Sequence, residues 1–129
     1  MSAILFWVYL FNAVLLINHE IDSAYWHEWN LFRLPGGITG FLILHFPLLV
    51  LVLYGLVLVY QFTWWGLMLS LLLSLGGMFA FVVHTHFIRR GRREFDTPIS
   101  RFILTTTLIA SLLQAAITIY LLIDYQSIG

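Results

Sequence analysis

The stretch WWGLMLSLLLSLGGMFAFVVHTHFI, residues 64–88, contains no acid and no arginine from end to end. A membrane-spanning helix needs about 20 mostly apolar residues, and this run is long enough. Its apolar residues are continuous and do not alternate with period two, which points to a helix and not to a barrel strand. Three other runs have the same character: residues 2–18, 38–60 and 101–123. The expected fold is therefore all-α, an integral membrane four-helix bundle forming one domain over residues 1–129.

Composition agrees. The chain is 61% hydrophobic and 9% charged, against about 25% charged in a typical soluble domain. That much apolar material exceeds what a core can absorb, so the outer surface is apolar and its solvent is the lipid bilayer. Cysteine is absent, which excludes disulfides and thiolate metal sites. A net charge of zero and the lack of lysine argue against a nucleic-acid partner. The first run has no basic segment before it and no small-residue cleavage site after it, so it is expected to be a retained span and not a signal peptide.

The punctuation between runs fits. Residues 61–63 leave room only for a tight antiparallel hairpin. In RLPGG, Pro35 breaks helix and Gly36 and Gly37 suit a turn. In DTPIS, Asp96 or Thr97 can cap a helix that has Pro98 in its first turn. All six basic residues are arginines, and all lie in or beside two loops, 19–37 and 89–100, that leave the bundle at the same end. The positive-inside rule makes those loops cytoplasmic and both termini non-cytoplasmic in a multi-pass cell-membrane protein. Arg89, Arg90, Arg92 and Arg93 would meet anionic lipid headgroups.

The polar residues collect at that same end. NHEIDSAYWHEW, residues 18–29, brings His19, Glu20, Asp22, His27 and Glu28 to the end of the first span. His45 lies about 10 Å into the second span at 1.5 Å per residue. His84 and His86 precede the arginines. If the first helix continues, Asn12, His19, Glu20, Ser23 and His27 share one arc, while Glu28 points toward water or Arg33; otherwise Glu28 counts with Asn12, His27 and Gln114 among the candidate polar interior residues. Ser70, Ser74, Gly77 and His84 form a stripe of the small residues that let membrane helices approach, which turns His84 inward. His86 is about 200° away and points inward only if the helix has unwound. Gln114, with Thr107, Ser111 and Thr118, must face the interior, because an unpaired amide in hydrocarbon is costly.

Imidazole and carboxylate together suit zinc, iron or a related divalent transition metal, and four-helix bundles build such sites from facing helices. The candidate ligands are His19, Glu20, His45, His84 and His86, with Glu20 or Asp22 as proton acceptor, Asp22 orienting a histidine, and Glu28 a substitute base only if the first helix bends. No standard motif is complete: Ser23 stands where a His-Glu-x-x-His zinc motif needs histidine. His45 has a second reading, in which it bonds a carbonyl freed by Pro47.

HEID, HEW, the Leu-Pro-Gly turn and HFPL together resemble a family of small multi-pass bacterial membrane proteins of unknown function with a His-Glu-x-Asp…Glu-Trp pattern. That resemblance spans roughly residues 15–50 and carries over to His19, Glu20, Asp22, Glu28, Trp29 and His45. A looser likeness is to a membrane family named for a His-x-x-Glu-Glu motif, which implies metal-dependent chemistry; after His19 come Glu20 and Ile21, and Ser23 stands where the second Glu would fall.

The leading functional expectation is a metal-dependent hydrolase or oxidase acting on a lipid-like substrate. The alternatives are a non-catalytic subunit or assembly factor, docked on a membrane-protein partner or a second copy, and, ranking behind these, haem held by His45 and His84. Proton-coupled transport is disfavoured, because no charged residue falls at mid-membrane.

Overall fold

The computed structural model describes residues 1–127. Among them the chain forms helices α1 (Ser2–Tyr25), α2 (Glu28–Leu31), α3 (Gly37–Tyr60), α4 (Trp64–Arg89) and α5 (Pro98–Ser127), and no strand. The four long helices are each long and apolar enough to cross a membrane. Going round the bundle the order is α1, α3, α4, α5. Each of α1 and α4 packs against both α3 and α5.

Local chemistry explains where the helices start. Thr63 caps α4 by accepting the Gly66 N–H at 3.0 Å, and Thr97 caps α5 by accepting that of Ser100 at 3.2 Å. Each satisfies one of the amide groups a helix start leaves unbonded. With Thr97 capping, α5 begins at Pro98 and not at Arg101, and Asp96 instead pairs with the Arg101 guanidinium. The larger departure is at the other end of α1. The helix runs on past residue 18 to Tyr25 and then stops, because His27 adopts a left-handed backbone at φ 54°. Histidine is one of the few side chains that visits this region with any frequency. The short α2 follows immediately, a helix that hydropathy gives no reason to expect.

The outward surface is apolar, with Trp7, Ile43, Phe46, Phe79 and Ile109 all well exposed. Contiguous apolar surface on this scale marks contact with lipid or protein. The inward surface of α1, α4 and α5 is polar. Asn12 Nδ2 donates to Gln114 Oε1 at 2.9 Å and to Ser111 Oγ at 3.0 Å. Gln114 Nε2 in turn donates to the Ser70 carbonyl at 2.8 Å, and Ser70 bonds the Thr118 hydroxyl at 2.8 Å. Among helices in lipid, apolar packing alone supplies no preference for a partner helix, whereas each such interhelical bond contributes about 0.6–2 kcal/mol. The network therefore sets which faces of α1, α4 and α5 meet.

Gly77 lets this happen. A Cβ there would run into the Ser111 hydroxyl and the Thr107 methyl, whereas one on neighbouring Gly76 would meet nothing within 4 Å. Both sit mid-helix, where alanine is intrinsically favoured over glycine by about 1 kcal/mol. Gly77→Ala is therefore expected to destabilise the detergent-solubilised protein by about 1–3 kcal/mol through overpacking. Gly76→Ala should be neutral or stabilising. Equal thermal shifts for the two variants would contradict the close α4–α5 approach.

Candidate functional site at the loop end of the bundle

The reversal after α1 decides which groups meet. Once the chain turns at His27, α2 folds back under the bundle. Trp29 rests on Phe41 of α3, ring centroids 5.7 Å apart, and His27 stacks on Trp29 from outside at 4.9 Å. Leu31 is buried with Phe95 and Leu104. Pinned by these contacts, α2 aims Glu28 inward, and its Oε1 lies 3.3 Å from His84 Nε2. The expectation that Glu28 faces water or Arg33 is thus corrected. It depended on α1 continuing straight, and α1 does not.

His27 and His86 also fall elsewhere than expected. His27 is exposed, because it is the residue on which the chain turns and so leaves the arc that carries His19 and Glu20. His86 is exposed too, since α4 stays helical to Arg89 and keeps it about 200° from His84. Asp22 does not orient a histidine: its Oδ1 accepts the Trp26 indole N–H at 3.0 Å. His19 and His84 point inward as their helical positions imply, at 3% and 2% exposure.

Two groups of ligand-type atoms result. His19, Glu28 and His84 each offer one atom, all within 4.8 Å of one another, and so do Glu20, Glu28 and His45. In the first group the His19 and His84 rings meet edge to face at 4.7 Å. Both Nδ1 atoms are buried without a hydrogen-bond partner. Phe95, itself 1% exposed, covers the pair with its ring 4.1 Å from that of His84. Phe95 comes from the α4–α5 loop in a left-handed conformation, φ 67°, and no sequence signal pointed to it.

In the second group, His45 Nδ1 is 2.7 Å from the Phe41 carbonyl oxygen. A carbonyl only accepts, so Nδ1 carries the proton. In the neutral ring Nε2 then has a bare lone pair. That lone pair sits 2.8 Å from Glu20 Oε2. Oε2 is buried and has no hydrogen-bond partner, since the close approach lacks hydrogen-bond alignment. The carbonyl used is that of Phe41, not the one that Pro47 frees at Ile43.

Glu28 lies outside the membrane-crossing helices. Burial raises the pKa of its carboxyl, but the hydrogen bond and charge of His84, with smaller contributions from Ser23 and His19, outweigh this. The net effect is a pKa below the ordinary 4.5, so Glu28 is a carboxylate at neutral pH.

Above the site is a cavity of about 360 Å³ lined by α1, α3 and α4. Its walls are apolar, including Leu16, Val52, Leu69 and Leu73, and its polar end is formed by His19, Glu20, Glu28, His45 and His84. Tyr9 closes the far end, with its hydroxyl donating to the Val52 carbonyl at 2.7 Å. Leu48 and Leu51 of α3 and Leu72, Gly76 and Phe79 of α4 line it and are exposed, so the opening is on the lipid-facing side between these helices.

Diethyl pyrocarbonate labelling read by peptide mass spectrometry tests this arrangement. His27 and His86 should be modified quickly, and His19 and His84 slowly. Phe95→Ala should expose the latter pair and accelerate their labelling severalfold. Comparable rates for all four in the unmodified chain would contradict the burial described.

No curated protein and no solved structure matches the chain. Residues 5–121 match a family of unknown function, DUF6713. The match takes in all four long helices and every residue of the site, and the chain belongs to that family.

Proposed function

We propose that the chain is a membrane-embedded metalloprotein that holds a divalent transition metal, zinc or iron, at the polar end of the cavity and acts on a lipid-like substrate. The observation that carries this reading is the cavity's asymmetry. An apolar slot open toward lipid ends on three imidazoles and two carboxylates, of which two imidazole nitrogens and one carboxylate oxygen are buried without a hydrogen bond. Buried polar atoms are normally bonded, and these are of the types that bind such metals. The Phe41 carbonyl fixes the His45 tautomer, as backbone acceptors do for metal-ligating histidines.

The slot suits a single acyl chain. Tyr9 and Glu20 mark its two ends, about 16 Å apart along α1 at 1.5 Å per residue. One leaflet of a hydrocarbon core about 30 Å thick has nearly that depth. A chain entering between α3 and α4 would lie along Leu48, Leu51, Leu72 and Phe79 with its polar end at the histidines. Hydrolysis of an ester or amide there needs a water oxygen to add to the carbonyl carbon, and the bond to the leaving oxygen or nitrogen to break. Glu20 or Glu28 is placed to take the water's proton and return it to the leaving group. Asp22 does not line the cavity, so that role passes from it. The oxidase alternative needs dioxygen as a second substrate to accept the electrons of the lipid, whereas hydrolysis needs only water and is the simpler reading.

The positive-inside rule, applied to the six arginines, supports a cytoplasmic side for this end of the bundle. The exposed Arg89, Arg90, Arg92 and Arg93 would meet anionic headgroups there.

Elemental analysis and an absorption spectrum of the detergent-purified protein test the metal. The expected result is zinc or iron at one or more equivalents per chain, falling to trace in the His45→Ala/His84→Ala double variant with helical circular dichroism retained. Unchanged metal in the double variant would overturn the assignment. A Soret band would favour the haem alternative, and a metal-free protein that co-purifies with a larger partner would favour the scaffold alternative. Gly76→Phe tests the slot separately: it should keep the metal and lose co-extracted lipid. Lipid retained at the unmodified level would contradict an acyl chain in this cavity.

A further inference from the structure

We infer that the site takes two cations, with Glu28 bridging them. This rests on the metal-binding reading above and deepens it. Two ligand groups are present, His19–Glu28–His84 and Glu20–Glu28–His45, and Glu28 is the residue common to both. Among the described residues no other trio of this kind occurs. The five side chains come from α1, α2, α3 and α4. His19 and Glu20 are adjacent in the chain, so they project in directions about 100° apart. One helix end thereby serves both groups.

Each group on its own has the composition of a reactive metal site, which keeps three protein ligands and leaves a position for water or substrate. One cation would leave half of the set unexplained. If it sat with His19 and His84, Glu20 Oε2 would still lie buried without a hydrogen bond, 2.8 Å from His45 Nε2. If it sat with Glu20 and His45, the buried Nδ1 atoms of His19 and His84 would remain without partners. The second group also sets two carboxylates, Glu20 and Glu28, within 4.8 Å of each other inside the bundle. Like charges that close are unfavourable unless a proton or a cation lies between them, and a divalent cation would hold both carboxylates at once.

Glu28 is suited to the shared position. As a carboxylate it offers two oxygens with several lone pairs. It projects from a short helix set against α3 and α1, between His84 on one side and Glu20 on the other. Paired ions at bridged sites sit about 3.5–4 Å apart and together stabilise the attacking and leaving oxygens of a displacement. With two carboxylates and three neutral imidazoles, two divalent ions leave the site positively charged. That favours a substrate whose polar end carries a carbonyl, carboxylate or phosphate oxygen.

The test is metal stoichiometry. The full chain, stripped with chelator in detergent, is titrated with manganese(II) or zinc(II), and bound metal per chain is measured after desalting. Two equivalents are expected in the unmodified protein, one in His45→Ala, one in His84→Ala, and none or a fraction of one in Glu28→Gln. Glu28→Gln preserves side-chain size, and thermal unfolding checks its fold. The manganese-loaded protein should show an exchange-coupled electron paramagnetic resonance signal that His45→Ala abolishes. One equivalent in the unmodified protein, or Glu28→Gln binding like the unmodified chain, would overturn the two-cation inference and leave the metal-binding reading standing. Zero equivalents would overturn both.

Discussion

A buried close contact between a histidine ring nitrogen and a glutamate oxygen is the constraint around which the loop end of this molecule is built. His45 has one ring proton when neutral, and the Phe41 carbonyl holds it. Its Nε2 lies 2.8 Å from Glu20 Oε2. In water such a close pair would be relieved by solvent. Inside a bundle at the edge of hydrocarbon, a shared proton or a bound cation has to take that part. The surrounding structure makes this position hard to escape. Phe41 stacks on the His45 ring at 3.8 Å, Trp29 packs on Phe41, and α2 is held beneath them. Moving His45 away from Glu20 would unpack all three.

The same economy of contacts explains why the bundle has two unlike halves. On the α1–α4–α5 side, Asn12, Ser70, Ser111, Gln114 and Thr118 form continuous hydrogen bonds, and Gly77 brings the backbones close. That side is tied together. On the α3 side close approach is confined to the ends. Gly55 lies against Tyr9 and Leu69 at one end, and Glu20, Trp29 and Phe41 surround the other. Between them α3 does not fill the space, and the cavity is the result. The hydrogen-bonded half positions His19 and His84, and the other half holds the cavity.

Much of this was legible in the amino-acid order. Runs of apolar residues mark the four long helices, and the small-residue stripe alone turns His84 inward. The polar faces of α1 and α5 identified Asn12 and Gln114 as interior. What escaped was governed by contacts across the chain. Nothing local says that His27 takes a left-handed backbone; that is fixed by Trp29 on Phe41 and Leu31 under Phe95, which are distant in sequence. The inward turn of Glu28 follows from that one residue, so extrapolating α1 as a straight helix placed Glu28 in water and His27 in the site. Phe95 escaped for a related reason: a lone aromatic in a loop has no periodicity to betray that it is buried.

The central claim is that these imidazoles and carboxylates ligate a metal. X-ray absorption spectroscopy at the metal edge of the purified protein addresses it most directly. The expected spectrum has a first shell of nitrogen and oxygen at about 2.0–2.2 Å, as for histidine and carboxylate ligands, together with the outer-shell scattering of imidazole rings. A metal bound only by oxygen, with no imidazole contribution, or a protein carrying no metal to excite, would contradict the account.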